Sequence, residues 1–317
     1  MVARGLVADV GGTHARFASL DEAGQPGATV ELPSAAFANL TGALGAAAAR
    51  LGLDLAGLPV AVALAGPVSG DVVELTNVGW RFSAMATREA LGLARLVLLN
   101  DFEAVARSLS GLADEELERW REGEPVAVAP RALVGPGTGL GVGALLRSGE
   151  SWIALSGEGG HRDLAATDER EWRVVLRLAA RFGRASAERA LSGPGLVALY
   201  DAVAELDGRS AGALTAEEIA RRAATGESAA CREACELFSG WLGAVAGDLV
   251  LTLGARGGLY LAGGMLEGMA AAFDRGRFFA RLDGKGRFRE YVRRVPVFRL
   301  RSPSAAALRG AASALAG

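Results

Sequence analysis

The chain has 317 residues, half of them hydrophobic, and its formal net charge is −2. That length allows about two domains with sizeable cores, and the absence of a basic run disfavours nucleic acid as a partner. No apolar stretch looks long enough to cross a bilayer uninterrupted, and the first residues lead directly into a strand. We therefore expect no signal peptide, no membrane contact and a cytoplasmic protein.

Two familiar kinds of site are disfavoured by the residue counts. Cys231 and Cys235 lie four residues apart in a helical-looking stretch, and with two histidines in the chain they form no zinc set. We expect them to be buried free thiols. Lys285 is the one lysine among 34 basic residues, and its surroundings exclude a Walker-type phosphate loop.

The predicted elements begin with a β-hairpin. Residues 6–10 and 15–20 are apolar runs that predict paired strands, and Gly11 and Gly12 predict the turn between them. Hairpins of this kind are common without any ligand. The turn would also suit an anion, because its glycines and the Thr13 hydroxyl leave backbone N–H groups free, with Asp9 near an accompanying cation. Both interpretations stay open at this point.

Strands and helices then alternate. A helix is predicted at Leu40–Leu51, strands at Val60–Gly66 and Arg95–Asn100, and a further helix in DFEAVARSL. This alternation indicates an α/β architecture. The charged segment Asp114–Pro125 predicts a solvated helix and loop near a domain junction.

A second unit begins at Ala132, where ALVGPGTGLGVGALL repeats the opening design of strand, glycine turn with threonine, and strand. This repeat predicts an internal duplication whose two turns face each other across a cleft. Beyond it, GLYLAGGM predicts a strand that runs into a helix start, and SAAALRGAASALA predicts a last helix that packs on the first domain. Long helices are predicted between these segments at Glu171–Phe182, Leu196–Leu206, Glu217–Ala224 and Ala229–Leu253.

An ordered set of motifs resembles the glucokinase family: DVGGTHAR, AGPVSGDVVELTN, LNDFEAVA, GPGTGLG, SGEGGH, SAERALSGPGL, LAGGM and GKGRFREYV. Each motif alone is weak, but the set covers nearly the whole chain. The resemblance is to bacterial, non-zinc glucokinases of the hexokinase/actin-like ATPase superfamily. It implies an α/β, two-lobed actin-like ATPase (ribonuclease H-like) fold with a central cleft. It also implies a small α/β domain of residues 1–111 and 302–317, and a large α/β domain of residues 112–301.

The family passes the γ-phosphoryl group of ATP to the sugar 6-hydroxyl, so the resemblance implies a glucokinase at the first step of glycolysis. Glucose, ATP and Mg²⁺ are then the implied ligands, and a homodimer the implied assembly. One alternative is a kinase for another hexose or an amino sugar, and another is a sugar-sensing protein without turnover. The zinc motif and the DNA-binding domain of related kinases and repressors are absent from the sequence.

The resemblance also assigns roles to residues. Asp9 would lie near Mg²⁺, through water, and the family asparagine after Thr13 is replaced here by His14. Gly141 extends the second phosphate loop, although a plain turn stays open for it and for Gly143. The implied ATP-binding residues are Asp9, Gly11, Gly12, Thr13, Gly135, Gly137, Thr138, Gly139, Gly263 and Gly264. The implied sugar-binding residues are Asn77, Asn100, Asp101, Glu158, His161 and Glu188.

Asp101 is the candidate catalytic residue. It follows an apolar strand and precedes a helix, which is where open α/β sheets place ligand-binding groups. A carboxylate there can accept the proton of the sugar hydroxyl. The alternative is that Asp101 only caps the helix.

The sugar-binding roles in the second half have alternatives of their own. Glu158 and His161 are three residues apart and can converge on one polar ligand. A metal would need a third ligand that the spacing does not supply, and a structural histidine is the plainer alternative. Glu188 also suits a helix N-terminus electrostatically. Gly263 and Gly264 equally suit a close strand-to-helix turn.

Overall fold

A computed structural model describes residues 3–316. The chain divides into two compact units of mixed α/β structure. Among the described residues, the first unit takes in 3–116, 148–156 and 301–316, and the second takes in 117–147 and 157–300. The last helix therefore belongs with the first unit, as the sequence predicts.

The strands are β1 (Gly5–Val10), β2 (His14–Leu20), β3 (Pro26–Pro33), β4 (Pro59–Leu64), β5 (Val72–Leu75), β6 (Trp80–Ser83), β7 (Arg95–Asn100), β8 (Leu117–Arg121), β9 (Arg131–Pro136), β10 (Leu140–Ser148), β11 (Ser151–Gly157), β12 (Gly258–Leu261) and β13 (Val297–Leu300). The α-helices are α1 (Leu40–Leu51), α2 (Ala84–Ala90), α3 (Asp101–Ser108), α4 (Glu169–Phe182), α5 (Gly193–Leu206), α6 (Ala216–Ala224), α7 (Ala229–Leu253), α8 (Met265–Gly268), α9 (Arg275–Asp283), α10 (Arg289–Arg293) and α11 (Pro303–Ser313).

The first sheet has the strand order β3-β2-β1-β4-β7. β1 and β2 form the predicted antiparallel hairpin, whereas β1, β4 and β7 run parallel. Parallel strands need both faces covered, which explains why β1 and β4 are almost continuously apolar. Leu6, Phe17 and Val62 are fully buried in this core.

The second sheet has the order β11-β10-β9-β12-β13-β8. Its first five strands repeat the pattern of the first sheet, with an antiparallel hairpin at β9 and β10 followed by the parallel strands β12 and β13. The repeated strand order agrees with the predicted internal duplication. Gly141 and Gly143 lie inside β10, paired with Gly135 and Leu133, so neither is a turn residue.

The charged segment at the predicted domain junction differs from its prediction. Only Asp114–Glu116 form a helical turn, and Leu117–Arg121 is strand β8, antiparallel to β13. Tertiary contacts override the polar composition here. The Trp120 ring packs at 5.4 Å from that of Phe273.

Helix α7 corrects the expectation that no apolar stretch is long enough for a bilayer. It has 25 residues, and an 18-residue stretch of it has a mean hydropathy of 1.4 with 72% of its residues buried. Leu237, Phe238 and Trp241 on this helix are buried in the core of the second unit. A long, mostly apolar helix is typical of the core of a large domain.

Helices α3 and α11 pack with their backbones in close approach. A Cβ atom placed on Gly310 would overlap the carbonyl oxygen of Ala104 in α3. Glycine is therefore required at this crossing.

The Gly310→Ala substitution tests this close packing. We expect a loss of about 1–3 kcal/mol, or more, in the free energy of unfolding, because the added methyl group must push the two helices apart. Gly45→Ala in α1 is the matched control, since no atom lies within 4 Å of its added Cβ. That change should be neutral or should stabilise by about 0.4–1 kcal/mol. Urea unfolding measures both, and equal effects of the two substitutions would contradict the packing argument.

Candidate active site

In the first unit, three parallel strands end at the same level. The register pairs Val10 with Leu64, and Leu64 with Asn100. Neighbouring strands lie about 4.8 Å apart, so the residues that follow them are brought together at one edge of the sheet. Those residues are the Gly11 turn, the loop at Gly66 and Asp101.

Ser34, which is fully buried, fixes the turn after β1 by hydrogen bonds to its carbonyl groups. The Ser34 hydroxyl donates to the Gly11 carbonyl at 2.9 Å, and its backbone N–H donates to the Thr13 carbonyl at 2.9 Å. Among residues 3–316, the backbone N–H groups of Gly12 and Thr13 have no hydrogen-bond partner. Carbonyls fixed on one side and free N–H groups in the turn make a cradle for an anion.

The predicted sugar ligand Asn77 is exposed, in the turn between β5 and β6. A Cβ atom on Gly12 would lie 3.7 Å from the Asn77 Cβ. Asn77 therefore lies beside the turn of the cradle.

Asp9 is half-buried in β1, at the same edge. Desolvation raises its pKa from 3.8 to about 6, while a hydrogen bond with Ser304 and the charge of Arg16 lower it. Arg16 donates to the Ser304 hydroxyl at 2.8 Å and to Glu31 at 2.8 Å. Ser304, at the start of α11, thus contacts both the carboxylate and the guanidinium.

His14 is exposed at the start of β2. Its Nε2 atom lies 3.8 Å from the Glu31 carboxylate, which also accepts from Arg16. The imidazole is therefore placed beside an acidic side chain of β3.

Asn100, not Asp101, is the N-cap of α3. The Asn100 Oδ1 accepts from the N–H groups of Phe102 at 2.9 Å and Glu103 at 3.2 Å. Its Nδ2 donates to the Gly66 carbonyl at 3.2 Å, so one amide hydrogen remains for another partner. Asp101 is the first helical residue, and its Oδ1 accepts from Phe102 N–H at 2.9 Å. The capping function that a lone aspartate would serve is already filled by its neighbour.

In the second unit, the turn after β9 is held by a different contact. The Gly137 carbonyl accepts from Gly193 N–H at 2.9 Å. A Cβ on Gly263 would overlap the Pro136 carbonyl, and Gly263 has a φ of 94°, so glycine is required there. The LAGGM turn thus packs directly against the GPGTGLG turn, where Thr138 is exposed.

The three predicted acidic and imidazole groups of this unit lie together. Glu188 Oε2 accepts from Leu140 N–H at 3.0 Å, at the end of the glycine turn. Its other oxygen lies 3.9 Å from His161 Nδ1, and His161 Nε2 lies 3.8 Å from Glu158. A Cβ on Gly139 would lie 2.5 Å from Glu188, so only glycine leaves room for this carboxylate. The structure therefore connects the predicted sugar ligands with the second glycine turn.

Several supporting residues are missed by the sequence analysis. Ser34, Ser304 and Arg16 act through contacts between residues far apart in the chain, and so does Arg184, which donates to the His161 carbonyl and pairs with Asp163 at 2.6 Å. The motif DVGGTHAR does contain Arg16, but nothing in its spacing indicates Ser304 as a partner.

A family model, curated relatives and a solved structure that match this chain are all described as glucokinase. The model of the family described as Glucokinase matches residues 6–317. A curated glucokinase of Aromatoleum aromaticum is 48% identical, over 98% of this chain and 94% of that protein. The crystal structure of a glucokinase from an Antarctic psychrotroph is 35% identical with a TM-score of 0.85, covering 98% of each chain. A ROK family glucokinase from Streptomyces griseus, solved with glucose and AMPPNP, shares the fold at 20% identity and a TM-score of 0.64, again over 98% of each chain.

Asp9→Asn tests the burial of this carboxyl group through stability. A raised pKa means that the folded state keeps a proton between pH 3.8 and about 6 that the unfolded state releases. The wild-type protein therefore loses stability as the pH rises through this range. The neutral variant should be more stable by about 1–3 kcal/mol above pH 7, and should gain nothing below pH 4.

Asp71→Asn is the control of opposite sign. Hydrogen bonds from the Ser83 hydroxyl and the Met85 N–H lower the Asp71 pKa, so that variant should lose stability above pH 4. Thermal melting across pH 3.5–8 separates the two, and a pH-independent effect of Asp9→Asn would contradict the raised pKa.

Proposed function

The chain belongs to the glucokinase family, and from that premise we propose that it phosphorylates the 6-hydroxyl of glucose with Asp101 as the general base. It is an ATP-dependent glucose kinase, and the relatives that it matches along nearly its full length are glucokinases. The assignment of Asp101 as the base depends on its position in the first unit. Asp101 follows β7 at the edge that also holds the Gly11 turn, and Asn100 already caps the helix.

The polar group of the second unit is proposed to bind the sugar. Glu188, His161 and Glu158 supply carboxylate and imidazole groups, which accept and donate hydrogen bonds to adjacent hydroxyls. Asn100 adds its one remaining amide hydrogen, and Asn77 adds an exposed amide beside Gly12.

The two glycine turns are proposed to bind the phosphates of ATP. Gly12 and Thr13 offer free N–H groups, while Gly11 N–H closes the turn by donating to the His14 carbonyl at 3.0 Å, and Ser34 holds the carbonyls of Gly11 and Thr13. The second turn, with Thr138 exposed, would act in the same way, and the turn at Gly263 and Gly264 would lie on the adenosine side. Phosphoryl transfer depends largely on positioning and charge stabilisation, which such donors supply without a lysine. The remaining proposed ATP ligands are Gly135, Gly137 and Gly139.

In the proposed reaction, Asp101 takes a proton from glucose while the phosphoryl group moves from ATP to the sugar. Asp101 accepts the proton of the 6-hydroxyl, and the hydroxyl oxygen forms a bond to the γ-phosphorus of ATP. The bond from that phosphorus to the β,γ-bridging oxygen breaks, and its electron pair leaves with ADP. Glucose 6-phosphate, ADP and one proton are the products.

We propose that the Asp9 carboxylate binds Mg²⁺ through a water molecule. Mg²⁺ in such sites is usually held by one or two carboxylates together with phosphate oxygens and waters. No group of three or more His, Cys, Asp or Glu is placed for a metal within residues 3–316, so a single carboxylate that leaves the other positions to ATP and water fits. When bound, the metal would neutralise charge on the phosphates. Ser304 and Arg16 would keep Asp9 oriented.

We also propose that residues 1–111 with 302–317 and residues 112–301 act as the two domains of the kinase. A cytoplasmic location is proposed because ATP is the phosphoryl donor, and the buried free thiols of Cys231 and Cys235 accord with a reducing compartment.

Asp101→Asn tests the assignment of the base. Turnover of glucose with MgATP should fall by about 10²–10⁴-fold, because asparagine cannot accept the proton. Glucose should still raise the melting temperature, since the other sugar ligands remain. Asp168→Asn is the matched control, because Asp168 caps α4 by accepting from Glu171 N–H at 2.8 Å and asparagine caps as well.

Steady-state kinetics over a panel of hexoses and amino sugars completes this test. Near wild-type turnover in Asp101→Asn would show that another group is the base. A wild-type protein that prefers another sugar, or that binds glucose without consuming ATP, would overturn the proposed substrate or the enzymatic function.

A homodimer is proposed through helix α4. Trp172 and Leu176 lie one turn apart on this helix and are 54% and 49% exposed. Large adjacent apolar side chains on a surface are typical of an interface. The double variant Trp172→Gln/Leu176→Gln should be monomeric in light scattering and should keep its turnover. A monomeric wild-type protein would contradict the homodimer, and a dimeric variant would contradict this interface.

A further inference from the structure

Lys285, in the motif GKGRFREYV, is nearly buried although it carries a charge, with 11% of its side chain exposed. Its Nζ donates to the Ala244 carbonyl at 2.8 Å and to Asp248 Oδ1 at 2.6 Å. Both acceptors are on α7. The lysine stem crosses this helix at Gly247, where an added Cβ would lie 2.5 Å from Lys285 Cε. The helix thus has a gap shaped for this side chain.

The second oxygen of Asp248 pairs with the segment that carries the proposed sugar ligands. Arg162 donates to Asp248 Oδ2 at 2.9 Å. Arg162 directly follows His161, and its carbonyl accepts from Ala187 N–H at 2.8 Å, next to Glu188. One residue therefore connects α7 to both parts of the sugar-binding group.

This segment needs support from outside itself. The side chains of Glu158 and His161 are 65% and 54% exposed, and the helical turn Gly159–His161 has only three residues, with no side-chain cap at its start. Exposed polar side chains on such a turn do not hold one geometry unless the backbone is fixed.

We propose that Lys285 and Asp248 are positioning residues for glucose, which act through Arg162 on the turn that carries Glu158 and His161. The inference rests on the proposed sugar-binding role of that turn. Each oxygen of Asp248 takes one cation, so Lys285 fixes the rotation of the carboxylate and thereby the place at which Arg162 binds. The ammonium group is fixed in turn by a backbone carbonyl of α7.

A double-mutant cycle with Lys285→Met and Arg162→Met tests this route. Each single variant should raise KM for glucose about two- to fivefold, the size expected for a partly exposed ion pair. KM for ATP and kcat should stay within about twofold. Because both changes interrupt the same route, Lys285→Met should have no further effect on KM for glucose when Arg162→Met is already present.

Arg181→Met is the matched control, since it removes an ion pair of the same kind, to Asp201 at 2.6 Å, from another part of the second unit. It should leave KM for glucose unchanged. Asp248→Asn keeps the shape of the side chain and replaces Lys285→Met if that variant fails to fold, with the same expected rise in KM.

Hydrogen exchange of residues 157–164 gives a readout that does not depend on activity. Exchange should be faster in both single variants than in wild type, and unchanged in Arg181→Met. Additive effects on KM, equal rises for glucose and ATP, or unchanged exchange would each overturn the proposal. A wild-type protein that does not phosphorylate glucose would overturn the proposed function instead, while the exchange measurement would still decide whether the turn is held by this route.

Discussion

The parallel register of β1, β4 and β7 is the constraint on which the first unit depends. Because Val10, Leu64 and Asn100 are matched across these strands, three chain segments leave the sheet side by side. Strand pairing alone therefore places Asp101, after β7, at the same sheet edge as the Gly11 turn, after β1. In sheets of this kind the strand pairing determines where a ligand binds, and the side chains at that edge determine which reaction is possible.

Local features were predictable from the sequence where neighbouring residues determine them. The two glycine hairpins and the bounds of α1, β7 and α7 follow from apolar runs and turn residues, and the structure confirms them. The capping role at α3 was assigned to Asp101 as an alternative, whereas the structure gives it to Asn100. Both residue types cap helices, and the backbone path out of the strand decides between them.

Features that depend on distant contacts were not predictable. Arg16 and Ser304 are 288 positions apart, and no periodicity connects them. Ser34 follows a strand whose exposed residues give no sign that its hydroxyl reaches the Gly11 carbonyl. The segment Asp114–Pro125, which contains β8, was predicted as a solvated helix and loop because it is charged and polar, although Glu118 is paired with Arg299 at 2.7 Å across the strands. In each case the role of the residue depends on a partner that is distant in the sequence, so the residue and its neighbours do not predict it.

The single lysine has a consequence for how the protein can be modified. Acetylation neutralises a lysine and removes its donors, and amine-reactive labels need an exposed, unpaired amine. The Lys285 amine is neither exposed nor unpaired, because it donates to Asp248 and to the Ala244 carbonyl and little of its side chain is in solvent. With arginine in place of lysine elsewhere in the chain, reagents and acyl-transferring enzymes directed at lysine have almost no target on the folded protein. A surface of guanidinium groups keeps its positive charge at any physiological pH.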